Sequence, residues 1–340
     1  MKHRSLLLTL LVIFLLSCGF LDTPIPPTAG LPAPTTTPSP TSTPLPPPTE
    51  TPLPTVTPTP MPRFQRVLIV SFDGLRPDAI TEAKMENVLS LIQTGAYTFG
   101  AQTIMPSVTL PSHASMLVGT CPAKHIVRWN QYVPENGYAI GTDIFDLAHA
   151  AGLRTVMVVG KEKLRQVTEP ASTDYFAFVD ETDKIKDPFV LEQLAIQQVM
   201  EDFNLMFVHF PDGDLEGHDH GWMSRQQLRA YADDDEAFGY ILTRLKSQGL
   251  YESTLIVVTA DHGGHDTTHG TDMLEDMTIP WIISGLGIQP KQLTTQVHTT
   301  DTAATVAFAL GLPIPPEWDG VPIYEAFGLP AQERAWPVCQ

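Results

Sequence analysis

The stretch "TLIVVTADHGGHDTTHG", residues 254–270, changes character in its middle. Residues 254–260 are apolar or β-branched and uncharged, the composition of a strand buried on both faces. Immediately afterwards come Asp261, His262, His265 and His269. A strand of this kind belongs to a parallel sheet covered by helices, and in such sheets ligands sit beyond the carboxyl ends of the strands. Chemistry is therefore expected where the strand stops.

The same alternation recurs along the chain. Further apolar runs read as buried strands: "RVLIVSF" (66–72), "TVMVVG" (155–160), "NLMFVHF" (204–210) and "TIPWIISG" (278–285). Amphipathic segments at 79–94, 111–119, 142–151, 188–203, 225–248 and 299–310 read as helices, and Gly95, Gly152, Gly249 and Gly311 suit helix C-caps. Near-continuous apolar strands alternating with helices predict an α/β domain, with a mainly parallel central sheet and helices on both faces. This domain is expected over residues 64–340.

The polar residues at the strand ends are not scattered. Asp73 follows the first strand, Asp212, Asp214 and His218 follow the 204–210 strand, and Asp261 and His262 follow the 254–260 strand. One aspartate there would be an ordinary helix cap. Three endings with two Asp/His sets suit two zinc-type cations, which accept imidazole and carboxylate together. A group for such ions to activate lies in "SVTLPSHASMLVGT" (107–120), where Thr109 precedes a helix expected to start at Pro111. Its hydroxyl either caps that helix or uses the positive helix end to favour an alkoxide and a bound phosphoryl group.

The N-terminus has a different use. Residues 2–4 are basic, and Leu6 to Leu16 form an apolar run. That run is shorter than the roughly 20 residues of a membrane span and suits a secretory signal. It ends in "LLSC", which resembles the lipobox of bacterial lipoproteins; the resemblance implies a signal peptide over 1–17 and a lipidated Cys18 that anchors the chain to a membrane. Residues 18–63 then form a Pro/Thr-rich tether whose stretch 24–62 contains Glu50 as its only charge. In polyproline II form that stretch would reach roughly 120 Å. The chain carries a formal charge of −18, from 38 acidic and 20 basic residues, which argues against nucleic acid held on a basic face. Outside the cytoplasm Cys121 and Cys339 can pair, but their spacing leaves this open. Nothing in the sequence sets the oligomeric state.

Taken in order, the motifs resemble the alkaline phosphatase superfamily, in particular its type I phosphodiesterase/nucleotide pyrophosphatase branch. The resemblance rests on "FDGLRPD", "TLPSHASMLVGTCPAKHIV", "WNQ", "DLEGH", "ADHG" and "HGTDMLEDM". It implies an alkaline-phosphatase-like fold and an attacking threonine at Thr109. Asn130 then binds the phosphoryl group. One ion falls to Asp214, His218 and His269, the other to Asp73, Asp261, His262 and Thr109. The implied cofactors are two divalent ions of the zinc type, Zn2+ with manganese or iron as substitutes. With a neutral Thr109 these sets sum to a small positive charge inside an acidic protein. The implied reaction passes through a phosphothreonine, and the implied partner is a small phosphate ester, mono or diester.

Two kinds of departure bear on the substrate. Leu110 and Ser112 stand where the nucleotide-acting members carry a base-stacking aromatic and an asparagine, and the segment from His262 to His269 is short, as in the phosphomutase-like members. Metal chemistry therefore carries over, and nucleotide specificity does not. A sulfatase would need a Cys-x-Pro-x-Arg-like nucleophile motif, which "TLPSH" lacks. A phosphotransferase of the cell envelope would use the same threonine, and a non-catalytic binding module would not need a full ligand set. Among the remaining polar residues, Asp212 reads as a neighbour of the ligands or a loop acid. His113 reads as packing or ligand-orienting, and His220 and His265 as lying near the ligands without binding. "ADDDEAF" (232–238) reads as a solvated helix face, and His298 and Asp301 lie at the start of the last helix, where an Asp or Thr cap is expected.

Overall fold

A computed structural model of the chain describes residues 64–180, 188–334, Trp336, Val338 and Cys339. The expected signal peptide (1–17) and tether (18–63) lie outside the described residues. The strands are β1 (Arg66–Phe72), β2 (Ala96–Gln102), β3 (Thr155–Val159), β4 (Tyr175–Phe178), β5 (Leu205–Phe210), β6 (Thr254–Thr259), β7 (Thr278–Ser284) and β8 (Lys291–Gln292). They form one sheet in the order β4-β3-β5-β1-β6-β7-β2-β8. From β4 to β6 every neighbour is parallel, as the apolar runs predict. Each residue of β1, β3, β5 and β6 is buried, which is why these strands show no alternation.

The helices are α1 (Pro77–Glu82), α2 (Glu86–Thr94), α3 (Thr109–Val118), α4 (Pro122–His125), α5 (Ile144–Ala150), α6 (Pro188–Met200), α7 (Asp212–His220), α8 (Arg225–Ser247), α9 (Leu274–Met277) and α10 (Asp301–Leu310). Several sequence expectations need correction. β7 is antiparallel to β6, because the chain between them forms a loop and the four-residue α9 instead of the long crossover a parallel return requires. The segment 79–94 is two helices: Lys84 takes φ 56, and the break lets both Ile80 and Met85 bury. The strands β2, β4 and β8 were not anticipated; β4 is half-buried at the sheet edge and β8 is a two-residue exposed edge strand.

Helix starts also differ from the reading. α3 begins at Thr109, with Val108 in the cap position and no capping side chain, so Pro111 falls inside the first turn, where it is tolerated. At α10 the cap position is Thr300, whose hydroxyl meets His298 Nδ1 at 3.0 Å and makes no capping bond. Asp301 is instead buried and paired with Arg334. Within "ADDDEAF", Asp234 and Asp235 are buried, not solvated. The Asp235 carboxylate accepts from the Asn87 and Val88 amides and so caps α2 across the helix–helix contact. Cys121 and Cys339 form a disulfide, which fastens the last residues to the loop after α3.

Candidate metal and phosphoryl site

Sheet order determines the site. β3, β5, β1 and β6 are consecutive neighbours, and all end at the same edge. Ser71 pairs with Thr259, so the continued register brings Asp73 beside Asp261. The Gly74 amide donates to Asp261 Oδ1 at 3.1 Å and confirms it. After β5 the chain turns into α7, where Asp214 and His218 are four apart and share one helical face. Gly213 makes this possible: a Cβ there would lie 1.9 Å from the Tyr231 ring of α8.

The hydrogen bonds reveal which atoms are free. Carbonyl oxygens only accept, so His262 Nδ1 donates to Gly263 O (2.8 Å), His269 Nδ1 to Ser107 O (2.8 Å) and His218 Nδ1 to Thr267 O (3.0 Å). In its neutral form each ring therefore turns an acceptor Nε2 to the site, the arrangement in which a second hydrogen bond orients a metal-binding imidazole. Among the buried side-chain atoms with no hydrogen-bond partner are Asp73 Oδ1, Asp214 Oδ1, Asp261 Oδ2 and His262 Nε2. These atoms face one another. His262 Nε2 is 3.4 Å from Asp73 Oδ1 and 3.2 Å from Asp261 Oδ2, while Asp214 Oδ1 is 3.4 Å from His269 Nε2 and 3.5 Å from His218 Nε2. Buried polar atoms are rarely left orphaned, and a divalent cation in each cradle would satisfy them. The residues present fit the implied ions.

The compact sets of ligand atoms, each within 4.8 Å, are Asp73, Asp261 and His262, and Asp214, His262 and His269. The expected residues are brought together with two changes: His262 belongs to both sets, and His218 stands at the margin of the second. His262 and His269 stack with centroids 3.7 Å apart, so the two cradles adjoin. The first is fully buried, whereas the His218 side chain is 43% exposed and leaves the second open.

Thr109 is buried at the start of α3, and Asn130 Oδ1 accepts from the next amide, Leu110 N, at 2.9 Å. Two residues overlooked in the sequence complete this wall. Lys161, two residues beyond β3, places Nζ 2.7 Å from Asp73 Oδ2, 2.5 Å from Asp214 Oδ2 and 3.5 Å from Thr109 Oγ1. Lys163 Nζ donates to Asn130 Oδ1 at 3.3 Å. The sequence does mark them: "KEK" (161–163) follows the 155–160 run at the same sheet edge as the acids and histidines. Burial alone would lower the Lys161 pKa; Asp214 and Asp73 outweigh it and keep the ammonium charged. Lys163 moves the other way, to about 8, through burial and then repulsion from Lys161.

The carboxylates respond to the same charges. Burial pushes Asp73 up, but Lys161 and the His209 hydrogen bond prevail and hold it well below the usual range; Asp214 is also lowered against its burial, by Lys161. Asp261 is driven well up, by burial first and by Asp73 next. His269 falls to about 4, because of burial and then His262, which suits a neutral ligand.

The weaker candidates separate cleanly. His265 Nδ1 bonds Asp276 Oδ1 at 2.7 Å and steadies the loop, and His220 pairs with Glu216 at 3.4 Å. Neither belongs to a compact ligand set. Asp212 is buried at the start of α7, not in a solvated loop. His113 is fully buried, spanning Thr109 O and Ser71 Oγ at 2.8 and 2.9 Å.

Comparison with known proteins shows what the chain is similar to. The human GPI ethanolamine phosphate transferase 2 catalytic subunit is 30% identical over 291 residues, covering 80% of this chain and 29% of that protein. The mouse bis(5'-adenosyl)-triphosphatase enpp4 is 22% identical over 214 residues, covering 58% of this chain and 47% of its own. The chain thus spans less than half the length of these curated relatives. Murine ectonucleotide pyrophosphatase/phosphodiesterase 5 superposes with a TM-score of 0.63 at 15% identity, covering 78% of this chain and 100% of that one, and shares the fold. The sequence pattern of the type I phosphodiesterase/nucleotide pyrophosphatase family matches residues 67–307, and the chain belongs to that family.

Proposed function

We propose that this chain is an extracytoplasmic, metal-dependent phosphoesterase that uses Thr109 as its nucleophile. The observation that carries the reading is the Lys161 ammonium, which reaches Thr109, Asp73 and Asp214 at once and so sets the hydroxyl beside both cradles. Asp73, Asp261 and His262 would hold one divalent ion, and Asp214, His269 and His218 the other, with Zn2+ the ion that best suits this mixture of carboxylate and imidazole. When bound, such a pair supplies positive charge for the attacking and leaving oxygens of an in-line displacement and lowers the pKa of the nucleophile.

The protein's own groups then have defined tasks. Thr109 Oγ1 forms a bond to phosphorus as the bond to the ester oxygen breaks; the threonine proton passes to solvent and the leaving alcohol is protonated from solvent. Lys161 donates to the threonine oxygen as its charge develops. Lys163 and Asn130, at the first turn of α3, hold the non-bridging oxygens. Water then cleaves the phosphothreonine, giving phosphate or a phosphomonoester and restoring Thr109. The extra cations Lys161 and Lys163 favour the more highly charged substrate, a phosphate monoester. The Cys121–Cys339 disulfide supports a location outside the cytoplasm, which agrees with the "LLSC" signal and a lipid anchor at Cys18.

Thr109→Ala is expected to keep both ions by elemental analysis and to lose at least about 10³-fold in turnover. Retention of wild-type rates would sink the proposal. Rates on p-nitrophenyl phosphate, bis-p-nitrophenyl phosphate and a p-nitrophenyl nucleotide ester rank the substrates. A second reading is favoured by the human ethanolamine phosphate transferase: the same phosphothreonine would pass its group to a glycan hydroxyl in place of water. Adding glycan acceptors and finding transfer in excess of hydrolysis would select it.

A further inference from the structure

His209 lies in β5, fully buried, and pairs in register with Ser71 of β1 and Val159 of β3. Its ring spans these two neighbours. On the β3 side the Gly160 amide donates both to the His209 carbonyl at 3.2 Å and to Nδ1 at 3.3 Å, so Nδ1 is an acceptor and carries no proton. The proton of the neutral ring is therefore on Nε2, and this N–H donates to Asp73 Oδ2 at 2.9 Å. The consequence falls on the other oxygen. Asp73 Oδ1 has no hydrogen-bond partner and faces His262 Nε2 at 3.4 Å, inside the buried cradle.

We propose that His209 is a positioning residue for the buried cation: its Nε2–H holds Asp73 Oδ2 so that Oδ1 is presented to the ion. Lys161 also reaches Oδ2, at 2.7 Å, but its long stem serves Asp214 and Thr109 as well and does not define one orientation. The histidine is a stiff ring held by strand backbone at one end, so the carboxylate it grips cannot turn freely. His113, whose ring centroid is 5.0 Å away edge-on, supports it from below. Groups behind a ligand commonly set metal affinity in this way. The inference rests on the metal-dependent reading above.

Two substitutions in the full chain separate the role from mere packing. In His209→Asn the amide oxygen can still accept from Gly160, but the side chain is too short to reach Asp73. In His209→Gln the amide N–H extends to the position of Nε2. Zn2+ titration against a competing chelator, with melting of the metal-free proteins recorded in parallel, reads both. His209→Asn should weaken one of two ions by about 10- to 100-fold and leave the other unchanged, while His209→Gln stays within a few-fold of wild type. Equal affinities in all three proteins overturn the proposal, as does equal weakening in both variants with a matching loss of stability. A wild-type protein that binds no Zn2+ overturns the metal-dependent reading itself, a different outcome from either.

Discussion

The two cradles share His262 and sit side by side, yet they are built differently. Asp73 and Asp261 project from the ends of adjacent parallel strands, and His262 follows directly; all three are fully buried, Asp261 braced by the Gly74 amide, His262 by the Gly263 carbonyl and Asp73 by His209. Asp214, His218 and His269 come from a helix and a loop, and His218 stands 43% exposed. Strand ends cannot shift without disturbing the sheet, whereas a helix face and a loop can. In the proposed reaction the closed cradle is suited to hold an ion firmly, and the open one to admit substrate and water.

The largest expected effect tests that contrast directly. Asp261→Ala should lower turnover on the best p-nitrophenyl substrate by on the order of 10³-fold, with no recovery on adding metal. His218→Ala should lose about 10- to 100-fold and recover in excess Zn2+. Equal losses, with neither recovering, would erase the distinction between the cradles.

A second test asks whether acid acts through the cradles or through the fold. His125 is lowered from 6.5 to about 4 by burial and then Arg128, and His298 to about 3 by burial and then Arg334. Both folded values lie below the unfolded one, so the unfolded chain binds more protons between them. Their contribution is complete above about pH 6.5 and declines as pH falls toward 4 and then 3, by on the order of 3 kcal/mol for His125. Melting of metal-free protein from pH 8 to 4 should show this slope, and His125→Gln should flatten it. An unchanged slope would place the acid sensitivity elsewhere.

The smallest effect is the control. Asp235→Ala removes the cap of α2 and should cost roughly 1–2 kcal/mol in denaturant unfolding. Metal content should stay the same, since the carboxylate meets the Asn87 and Val88 amides and none of the ligand residues. Loss of an ion in this variant would mean that cradle occupancy follows global stability.

Legibility in the sequence followed the range of each interaction. The central strands were readable because double-sided burial leaves an apolar run, and the carboxylates were readable because Asp73, Asp214 and Asp261 each stand within a few residues of the end of one. Edge strands β4 and β8, half-buried or exposed, leave no such mark. Lys161 and Lys163 were missed although they obey the same strand-end rule, because a lysine among carboxylates reads as a surface charge until its burial is known. Asp234 and Asp235 misled for the converse reason: a run of acids looks solvated until another helix is packed onto it.

By itself the sequence determined the parallel α/β architecture and the edge where acids and histidines gather, since both follow from local composition and chain order. Only the tertiary structure decided that β3, β5, β1 and β6 stand side by side, that His262 faces both cradles, that Cys121 meets Cys339 and that β7 runs antiparallel. Those facts depend on which strands become neighbours and on which atoms are left without a hydrogen-bond partner once the backbone has taken its share. No single stretch of chain contains that information, because it arises from groups far apart in sequence competing for the same buried space.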